Sequence, residues 1–461
     1  MNPANGLRSD FLGQLLMPDS DGYDQARRVW NVNIEKYPAL IARCTGVADV
    51  LAALRHAREH DLLIAVRGGG HNVAGMSTCD GGIVIDLGPM KGVRVDPVAR
   101  TATAGPGVIW REFDRETQQF GLATPGGTVS DTGIAGLTLG GGLGFLSRRF
   151  GLTCDNLISA DLVTADGRLL HVSDDDHPDL MWGLRGGGGN FGIVTSFTYR
   201  LHELAGPVTS GPMIYPVERA GELLRFVRDW AERAPDSVTV AGMLGTAPPA
   251  PFLPPEMHGR PMVMIQPFWS GPNEEGEREL ASLRAFAPPV VDLVAPMPYT
   301  VLQQATDAIA VRGHRYYLKA SFLTSFDDTA IDSALGYQEQ VTSPLNSIMF
   351  VIVGGAVGRV DAGKTAFAHR HARWMCDIFG IWSSPHEDPT PHIDWVRGMW
   401  QELERVSTGS YVNHLHADEI DTHRGYDDEH RSQLVAVKTT YDPDNIFRLN
   451  PNIRPRVAAT A

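Results

Sequence analysis

A histidine ends one of the glycine-rich turns of this sequence, where its imidazole could meet a bound ligand. The run Arg67-Gly-Gly-Gly-His71 lies between two apolar segments, 62–66 and 82–87, which predict short strands. Three successive glycines can take up positive φ and turn their N–H groups towards a phosphate. The spacing matches neither the dinucleotide fingerprint GxGxxG nor the phosphate loop GxxxxGKS/T. The turn therefore predicts a diphosphate-binding loop with a histidine at its end; the alternative is a tight turn whose histidine faces solvent.

A cysteine follows a second glycine-rich stretch. Segment 128–156 contains a run of glycines and then Cys154, and a third glycine-rich turn lies at 185–194. Each of the three turns is next to β-branched apolar residues, so together they predict a large ligand that is contacted mainly by backbone. For Cys154 alone, the alternative is a small buried apolar residue, which is what a free cysteine usually is.

The elements that position these turns fall into two regions, which differ in their pattern of strands, helices and glycine turns. Short strands, glycine turns and occasional helices continue to about Pro207 and indicate an α+β nucleotide-binding region. Beyond it, longer strands and helices without βαβ glycine turns indicate an antiparallel sheet covered on one face. Apolar periodicity predicts helices at 47–60, 108–120, 217–234, 274–286, 328–341 and 363–379. The later strands are predicted at 262–269, 315–323 and 347–353, and a hairpin is predicted at 156–170.

Composition limits the possible partners. The chain has 461 residues and a net charge of −14, which argues against nucleic acid and anionic membranes. No apolar run reaches the ~18 residues of a membrane helix, and the first residues lack the pattern of a secretory signal. The four cysteines are widely spaced, unlike a disulfide framework or a zinc site. The sequence therefore predicts a soluble cytoplasmic protein without a metal site.

Several segments, taken together, resemble a known family. In chain order they are RGGGHN with GGIVIDL, GGGLGFLSRRFGLTCDN, RGGGGNFGIV, YVN and YDPDNIFRLNPNI, within 37–453. The sequence resembles the FAD-linked oxidases of the berberine-bridge-enzyme-like branch of the vanillyl-alcohol oxidase superfamily. The resemblance implies a PCMH-type FAD-binding domain over 1–207, with its core beginning near 37. It further implies a substrate domain over 208–410, with a helix-covered antiparallel sheet, and a C-terminal segment over 411–461 that returns to the FAD domain.

The resemblance also implies FAD held by two covalent bonds. His71 matches the residue whose imidazole attacks the flavin 8α-methyl group, and Cys154 matches the residue whose thiolate attacks C6. Two such bonds would hold the isoalloxazine rigidly, leave an open cleft for a bulky substrate and raise the flavin potential. The other residues that the resemblance places against FAD are Arg67, Gly68, Gly69, Gly70, Asn72, Gly75, Met76, Gly127, Thr128, Gly133, Ile134, Ala135, Gly136, Leu137, Gly140, Gly141, Gly142, Gly144, Asn156, Gly192, Ile193 and Val194.

The catalytic residues implied by the resemblance are Tyr411, Asn413 and His414, in the segment that crosses the substrate face of the flavin. Hydride leaves the substrate carbon for the flavin while a base takes the hydroxyl or amine proton. Tyr411 is the strongest base candidate, although a tyrosine of pKa near 10 needs a neighbouring cation or a carboxylate relay. On an extended strand Tyr411 and Asn413 would share one face. Tyr317 and Lys319 are secondary candidates, and a buried hydrogen-bonded tyrosine is the structural alternative.

The resemblance implies an oxidase that takes a hydride from a C–H bearing a hydroxyl, in a sugar or a natural-product alcohol. The electrons pass to O2 and give H2O2. A dehydrogenase with another electron acceptor is the alternative, because Ala135 stands where many oxidases of the family have glycine, although Ile134 matches their β-branched residue. Oxidation or cyclisation of amines and alkaloids is another option, and a non-catalytic flavin-binding protein has the least support. No residue in 208–410 selects a substrate.

Overall fold

The described strands form sheets of four, five and ten strands and one two-stranded pair, β7 (Leu122–Ala123) with β11 (His202–Glu203). The computed structural model describes residues 6–7, 11–419 and 424–456. Within these ranges no helix is long and apolar enough to cross a membrane.

The first part of the chain builds the two smaller sheets. Three parallel strands and one antiparallel edge strand form the four-stranded sheet in the order β1-β2-β4-β3, and the five-stranded sheet is antiparallel in the order β5-β6-β10-β8-β9. Here the elements are β1 Gln14–Leu16, α1 Tyr23–Arg27, β2 Leu40–Arg43, α2 Val47–Glu59, β3 Ile64–Arg67, β4 Ile83–Asp86, β5 Val93–Asp96, β6 Thr101–Ala104, α3 Trp110–Gln118, β7 Leu122–Ala123, α4 Ile134–Leu139, α5 Ser147–Phe150, β8 Leu157–Val163, β9 Leu169–Ser173, α6 Pro178–Leu184, β10 Ile193–Arg200 and β11 His202–Glu203.

The second part builds the large sheet. Eight of its strands follow the order β16-β13-β15-β14-β19-β20-β18-β21, and β12 and β17 join at the side. Its elements are β12 Val208–Ser210, β13 Met213–Pro216, α7 Ala220–Ala231, β14 Val238–Thr246, β15 Pro261–Trp269, α8 Asn273–Phe286, β16 Val291–Asp292, β17 Ala295–Met297, α9 Tyr299–Leu302, β18 Arg315–Leu323, α10 Asp328–Glu339, β19 Ser347–Ile352, α11 Ala356–Arg359, β20 Trp374–Trp382, α12 Thr390–Glu402 and β21 Ser407–Gly409, and then α13 Asp428–Tyr441.

One face of the large sheet forms the largest apolar core. Every second residue of β14, β15 and β20 lies on this face. Val240, Ile265 and Ile378 are examples, and they pack against α7, α8, α10 and α12. This arrangement confirms the predicted antiparallel sheet with helices on one face. The opposite face lies towards the glycine-rich turns, because Phe322 and Met375 cluster with Cys154 and Tyr411.

The predicted helix at 363–379 is wrong. A short 3-10 turn at Ala362–Lys364 is followed by β20, Trp374–Trp382, which pairs with both β18 and β19. Eight of the nine residues of β20 are buried, so the strand lacks the polar–apolar alternation that marks a half-exposed strand. A continuous apolar run of this kind cannot be told from a buried helix by periodicity alone.

The other predicted elements agree with the structure to within a few residues, including α2, α10, β18 and the hairpin of β8 and β9. Helix α12 was not predicted. The division of the chain at 207/208 and 410/411 stays a prediction; in the structure β12 begins at Val208 and β21 ends at Gly409.

A connecting segment, 303–312, ties the large sheet to a glycine-rich loop of the first part. Gln303 Nε2 donates to Gly127 O at 3.1 Å. Asp307 accepts from Ser130 twice, from the backbone N at 2.8 Å and from Oγ at 2.6 Å. The loop that leads into α4 is therefore anchored by this segment at two places, Gly127 and Ser130.

The end of the chain returns to the first part. Lys438, on α13, is completely buried and donates to Asp442 Oδ2 at 2.7 Å, Asn190 O at 2.8 Å and Phe447 O at 2.8 Å. All three bonds of the ammonium group are thus made to protein atoms, so a buried charge is fully paired. This pairing fixes the tail against the third glycine-rich turn.

Candidate functional site

Two glycine-rich turns touch backbone to backbone. A Cβ on Gly69 would lie 2.4 Å from the nitrogen of Gly133, and a Cβ on Gly133 would lie 2.4 Å from the nitrogen of Gly69. Any side chain at either position would displace the other turn. Gly70, next in the first turn, has φ +72, a backbone conformation that favours glycine. The turn after β3 is therefore fixed against the N-terminal end of α4.

The Arg67 side chain packs beside this turn, with its Cδ 3.6 Å from the position of a Cβ on Gly70. Its Nη2 donates to Asp86 Oδ2 at 3.0 Å, and both side chains are buried. Three buried polar atoms of the same β3–β4 connection have no protein partner: Arg67 Nη1, Ser77 Oγ and Thr78 Oγ1. Buried polar groups are normally hydrogen-bonded, so this connection suits a polar ligand such as the diphosphate of FAD.

His71 is held by a carboxylate. Its Nε2 lies 2.8 Å from Asp131 Oδ1, an ion-pair contact whose N–H direction is poor for a hydrogen bond, and its ring stacks on Trp30 with centroids 5.4 Å apart. Arg312 Nε donates to the other oxygen of Asp131 at 2.7 Å. Burial alone would raise the pKa of Asp131, but His71 and Arg312 hold it at about 2. An ionised Asp131 thus faces Nε2 and leaves Nδ1 as the ring nitrogen available for another bond.

The second glycine run binds the Tyr411 segment. Gly142 N donates to the Tyr411 hydroxyl at 3.0 Å, and Asn413 Nδ2 donates to the same hydroxyl at 2.9 Å and to Leu137 O at 3.0 Å. A Cβ on Gly140 would lie 2.1 Å from Asn413 Oδ1. The segment is a 3-10 turn over Val412–His414, not the extended strand considered from the sequence. Tyr411 and Asn413 meet because the chain turns between them.

The Tyr411 hydroxyl is buried. Burial raises the pKa of Tyr411 to about 12, although the bonds from Asn413 and Gly142 oppose the rise. The hydroxyl accepts both of these bonds, so its own proton is free to point elsewhere. Near neutral pH this tyrosine is a hydrogen-bond donor and not a ready proton acceptor.

His414 has a partner that sequence reasoning missed. Asp377 Oδ1 lies 2.9 Å from His414 Nδ1, and the His414 ring stands edge-on to the Tyr411 ring with centroids 4.9 Å apart. The Asp377 side chain is 2% exposed and that of His414 is 29% exposed. Asp377 lies on β20, in the run that the sequence assigned to a helix. The signal for it was a single carboxylate among the apolar residues WMCDIFGIW.

Cys154 is buried beside Tyr411. Its backbone N donates to Gly141 O at 2.8 Å, and its side chain belongs to the cluster that contains Tyr411 and Phe322. Burial, and then the charge of Asp155, raises the pKa of the Cys154 thiol. The described part of the chain contains four cysteines, and all four are free and buried.

Asn156 holds the Cys154 turn and has no spare amide proton for a cofactor. Its Nδ2 donates to Phe150 O at 3.0 Å and Leu152 O at 2.9 Å, and its Oδ1 lies 2.6 Å from His202 Nε2. The His202 ring stacks on Phe150 with centroids 4.2 Å apart. The role of Asn156 is therefore structural in this arrangement.

The remaining candidate residues occupy several places. Gly68 lies close to Ala135, because a Cβ added to Gly68 would be 3.5 Å from the Cβ of Ala135. Ile193 and Val194 begin β10 and pair with β8, and Gly192 packs against Leu162. The backbone oxygens of Gly127 and Thr128 accept from segment 303–312. Asn72, Gly75 and Met76 lie in the β3–β4 connection, and Ile134, Gly136 and Leu137 lie in α4. Gly144 packs against the backbone oxygen of Gly126.

Tyr317 and Lys319 lie on the helix-covered face of the large sheet. Tyr317 belongs to the core under α12, and Lys319 Nζ lies 4.9 Å from the ring centroid of Trp400. Lys319 pairs with Asp418 at 2.9 Å and Glu419 at 2.9 Å. Neither side chain faces the glycine-rich turns, so these secondary candidates are not part of the cluster around Tyr411.

Comparison with known proteins agrees with this geometry. A family model described as FAD binding domain matches residues 38–173, and one described as berberine and berberine like matches residues 410–454. (R)-6-hydroxynicotine oxidase of Paenarthrobacter nicotinovorans is 31% identical over 96% of this chain and 97% of its own length.

Solved structures share the whole fold. The crystal structure of 6-hydroxy-D-nicotine oxidase from Arthrobacter nicotinovorans has a TM-score of 0.89 at 29% identity, covering 98% of this chain and 100% of that one. Glucooligosaccharide oxidase of Acremonium strictum, described with a 6-S-cysteinyl, 8α-N1-histidyl FAD, has a TM-score of 0.87 at 22% identity, covering 99% of this chain and 100% of that one.

The burial of His202 predicts a pH-dependent stability. Burial, with the charges of Arg200 and Arg149, lowers the pKa of His202 to about 4, whereas an unfolded histidine titrates near 6.5. Unfolded protein therefore binds a proton that folded protein does not, so the free energy of unfolding should fall as pH is lowered from about 6.5 to 4. His202→Gln cannot titrate and should show a shallower fall in urea titrations across this range. Equal slopes for both proteins would contradict the assignment.

Proposed function

Because the chain belongs to the berberine-bridge-enzyme-like family of FAD-linked oxidoreductases, we propose that it is an oxidase whose FAD is bonded to His71 and Cys154. A hydride leaves a substrate carbon that bears a hydroxyl or amino group, and a protein base takes the proton from oxygen or nitrogen. The electrons pass to O2, so each oxidised substrate molecule gives one carbonyl or imine and one H2O2. One observation carries the proposal. The His71 turn contacts the start of α4, and Cys154 and Tyr411 contact the glycines just after its end.

The two ends of α4 support both attachments. The His71 turn touches Gly133 at the start of the helix, and the Cys154 and Tyr411 contacts are made by Gly141 and Gly142 just after its end. A helix of six residues separates these points by a rise of about 9 Å. The isoalloxazine supplies electrophilic carbons at its 8α-methyl group and at C6 for a histidine and a cysteine, respectively.

The position of Asp131 supports the histidyl bond at a particular nitrogen. Asp131 faces Nε2 of His71, so Nδ1 is the nitrogen left for the bond to carbon. The glucooligosaccharide oxidase is described with attachment through histidine N1, which is the same ring nitrogen. A carboxylate on the far side also favours the positive charge that develops on the imidazole as the bond forms.

His414 is the proton acceptor in this proposal, and Asp377 orients it. A buried carboxylate bonded to Nδ1–H fixes the imidazole tautomer and leaves Nε2 as the basic nitrogen. The same carboxylate stabilises the imidazolium that forms when the substrate proton arrives. Tyr411, fixed by Asn413 and Gly142, donates a hydrogen bond to the substrate heteroatom.

A dehydrogenase with another electron acceptor is the second candidate. Ala135 is the second residue of α4 and packs beside Gly68, so a methyl group lies next to the first glycine turn. The ratio of H2O2 formed to substrate consumed in air decides between the two functions. A ratio near one supports the oxidase, and turnover only with an added dye supports the dehydrogenase.

The first functional prediction concerns the two bonds. Protein precipitated with acid should stay yellow, and flavin should be found on peptides that contain His71 and Cys154. His71→Ala or Cys154→Ala should each leave FAD attached through the other residue, whereas the double variant should release it. Cys44→Ala, which removes another buried free cysteine, is the matched control and should change nothing. Free FAD in the supernatant of the unmodified protein would contradict the attachment.

The second prediction concerns Asp131. In a Cys154→Ala background, Asp131→Asn should slow covalent uptake of FAD by flavin-free protein about tenfold, because a neighbouring opposite charge stabilises an ionised group by on the order of one pKa unit, which is a factor of ten. The measurement is flavin fluorescence of the protein band in denaturing gels over time. Asp307→Asn is the matched control, because Asp307 anchors Ser130 of the same loop whereas Asp131 is the carboxylate that faces His71.

Two outcomes separate the attachment from the role of Asp131. If the Cys154→Ala protein takes up no covalent flavin, the proposed bond between His71 and FAD is wrong. If it does so and Asp131→Asn is equally fast, or Asp307→Asn is equally slow, only the role of Asp131 is wrong.

The third prediction concerns the base. His414→Gln and Asp377→Asn should each lower the rate constant of anaerobic flavin reduction by roughly 10²–10⁴-fold, the usual worth of a general base. Tyr411→Phe removes only a hydroxyl and should have the smaller effect on this rate, with flavin attachment unchanged. Stopped-flow absorbance measures all three. A larger loss in Tyr411→Phe than in His414→Gln would make Tyr411 the base.

A further inference from the structure

The large sheet has a row of methionines that leads to the Asp377–His414 pair. Directly opposed residues on neighbouring strands are Met264 and Met243, Met243 and Met349, and Met349 and Asp377. Because side chains alternate along a strand, opposed residues share one face of the sheet. The row therefore crosses β15, β14, β19 and β20 on a single face and ends at Asp377.

This face of the sheet is partly exposed. Strand residues on the opposite face, such as Leu244, Ile265 and Ile378, are buried under the helices. On the face of Asp377, by contrast, several residues in the middle of the sheet are partly exposed. These residues are Ala241, Met243, Met264, Met349, Val351 and Phe379. Their exposure cannot come from a sheet edge, because β14 and β19 have neighbours on both sides.

The face of the sheet that carries the methionine row, here called the wall, is mostly apolar. Along the described strands β14, β15, β19 and β20, Asp377 is the one charged residue that shares the face with the methionines. Gln266, Ser347 and Thr239 are the uncharged polar residues on it, and the Thr239 hydroxyl already donates to Phe145 O at 2.9 Å. A wall of thioether and hydrocarbon groups offers few partners for hydroxyl groups.

The balance between substrate classes follows from this composition. An oligosaccharide has hydroxyls along its whole length, and each one buried without a partner costs about 1–3 kcal/mol. An aromatic or alicyclic body loses no hydrogen bonds here and gains apolar burial, and methionine sulfur makes favourable contacts with aromatic rings. Three strand spacings separate Asp377 from Met264, which is a span of about 14 Å.

We propose that the substrate is a polycyclic or aryl-substituted apolar molecule with one oxidisable hydroxyl or amine. Its polar group lies at His414 and Asp377, and its apolar body extends along Met349, Met243 and Met264. This assignment rests on the proposed oxidase site and names the substrate class for it. The reaction is the one given above, in which His414 takes the proton from O–H or N–H, and bound FAD would accept the hydride from C–H and pass the two electrons to O2.

The test uses the purified holoprotein with two series of alcohols. The first series enlarges the apolar body from 1-phenylethanol through 1-indanol to fluoren-9-ol, and the second contains cellobiose and xylobiose. We expect the rate constant of flavin reduction divided by the dissociation constant to rise at least tenfold across the first series. The disaccharides should not reduce the flavin. Faster reduction by either disaccharide than by fluoren-9-ol would overturn the proposal.

Variants of the row test the wall itself. Met349→Gln and Met243→Gln keep the side-chain length but add an amide, and each should weaken binding of fluoren-9-ol about tenfold. Met349→Leu keeps an apolar wall and should retain most of the affinity. Met17→Gln, the same change at a partly buried methionine that packs in the core of the four-stranded sheet, is the matched control. Unchanged affinity in both row variants would overturn the proposal, and thermal melting shows whether each variant is folded.

A binding measurement separates this inference from the proposed function. Fluoren-9-one, which cannot donate a hydride, is titrated into the same proteins and followed by calorimetry. If no alcohol reduces the flavin but the ketone binds and Met349→Gln weakens it, the wall assignment stands and the proposed oxidation of alcohols falls. If the ketone does not bind, the proposal that the wall binds an apolar substrate is wrong, whether or not the alcohols reduce the flavin.

Discussion

The contact between Gly69 and Gly133 is the constraint on which the site depends. Two backbones meet there without room for a Cβ, so the turn after β3 and the start of α4 cannot move independently. Helix α4 then carries this fixed position to its other end, where Gly141 and Gly142 bind the Cys154 backbone and the Tyr411 hydroxyl. Backbone contacts through one short helix thus set the relative positions of a histidine, a cysteine and a tyrosine that are far apart in the sequence.

The large sheet meets this backbone unit at two places. Segment 303–312 binds the loop before α4, and its last residue, Arg312, contacts the same carboxylate that faces His71. Asp377 reaches His414 from β20, and His414 is the last residue of the 3-10 turn that Asn413 fixes to Leu137. The residues proposed for attachment and those proposed for proton transfer are therefore positioned by the contact between the two parts of the chain.

The sequence predicted the parts of this site that depend on local backbone. Glycine runs mark turns because glycine adopts positive φ without steric cost and leaves room for a close backbone approach, and α2 and α10 follow from helical periodicity. Asp377 and Asp131 were missed as partners because they meet His414 and His71 through space, from different elements. The helix predicted at 363–379 failed because β20 is buried on both faces and has no alternation. The methionine row could not be found, since it exists only in the register of four strands.

The apolar wall and the proposed proton transfer are connected by electrostatics. Asp377 is buried at the end of a methionine row, where few dipoles can solvate its charge, so its attraction for a protonated His414 is stronger than it would be in water. A substrate that covers the row removes further water and strengthens this attraction when the proton is transferred. In the proposed complex, an apolar body bound to Met349 and Met243 would therefore contribute to both binding and the transition state, whereas a polar body that carried water onto this face would weaken the attraction between Asp377 and a protonated His414.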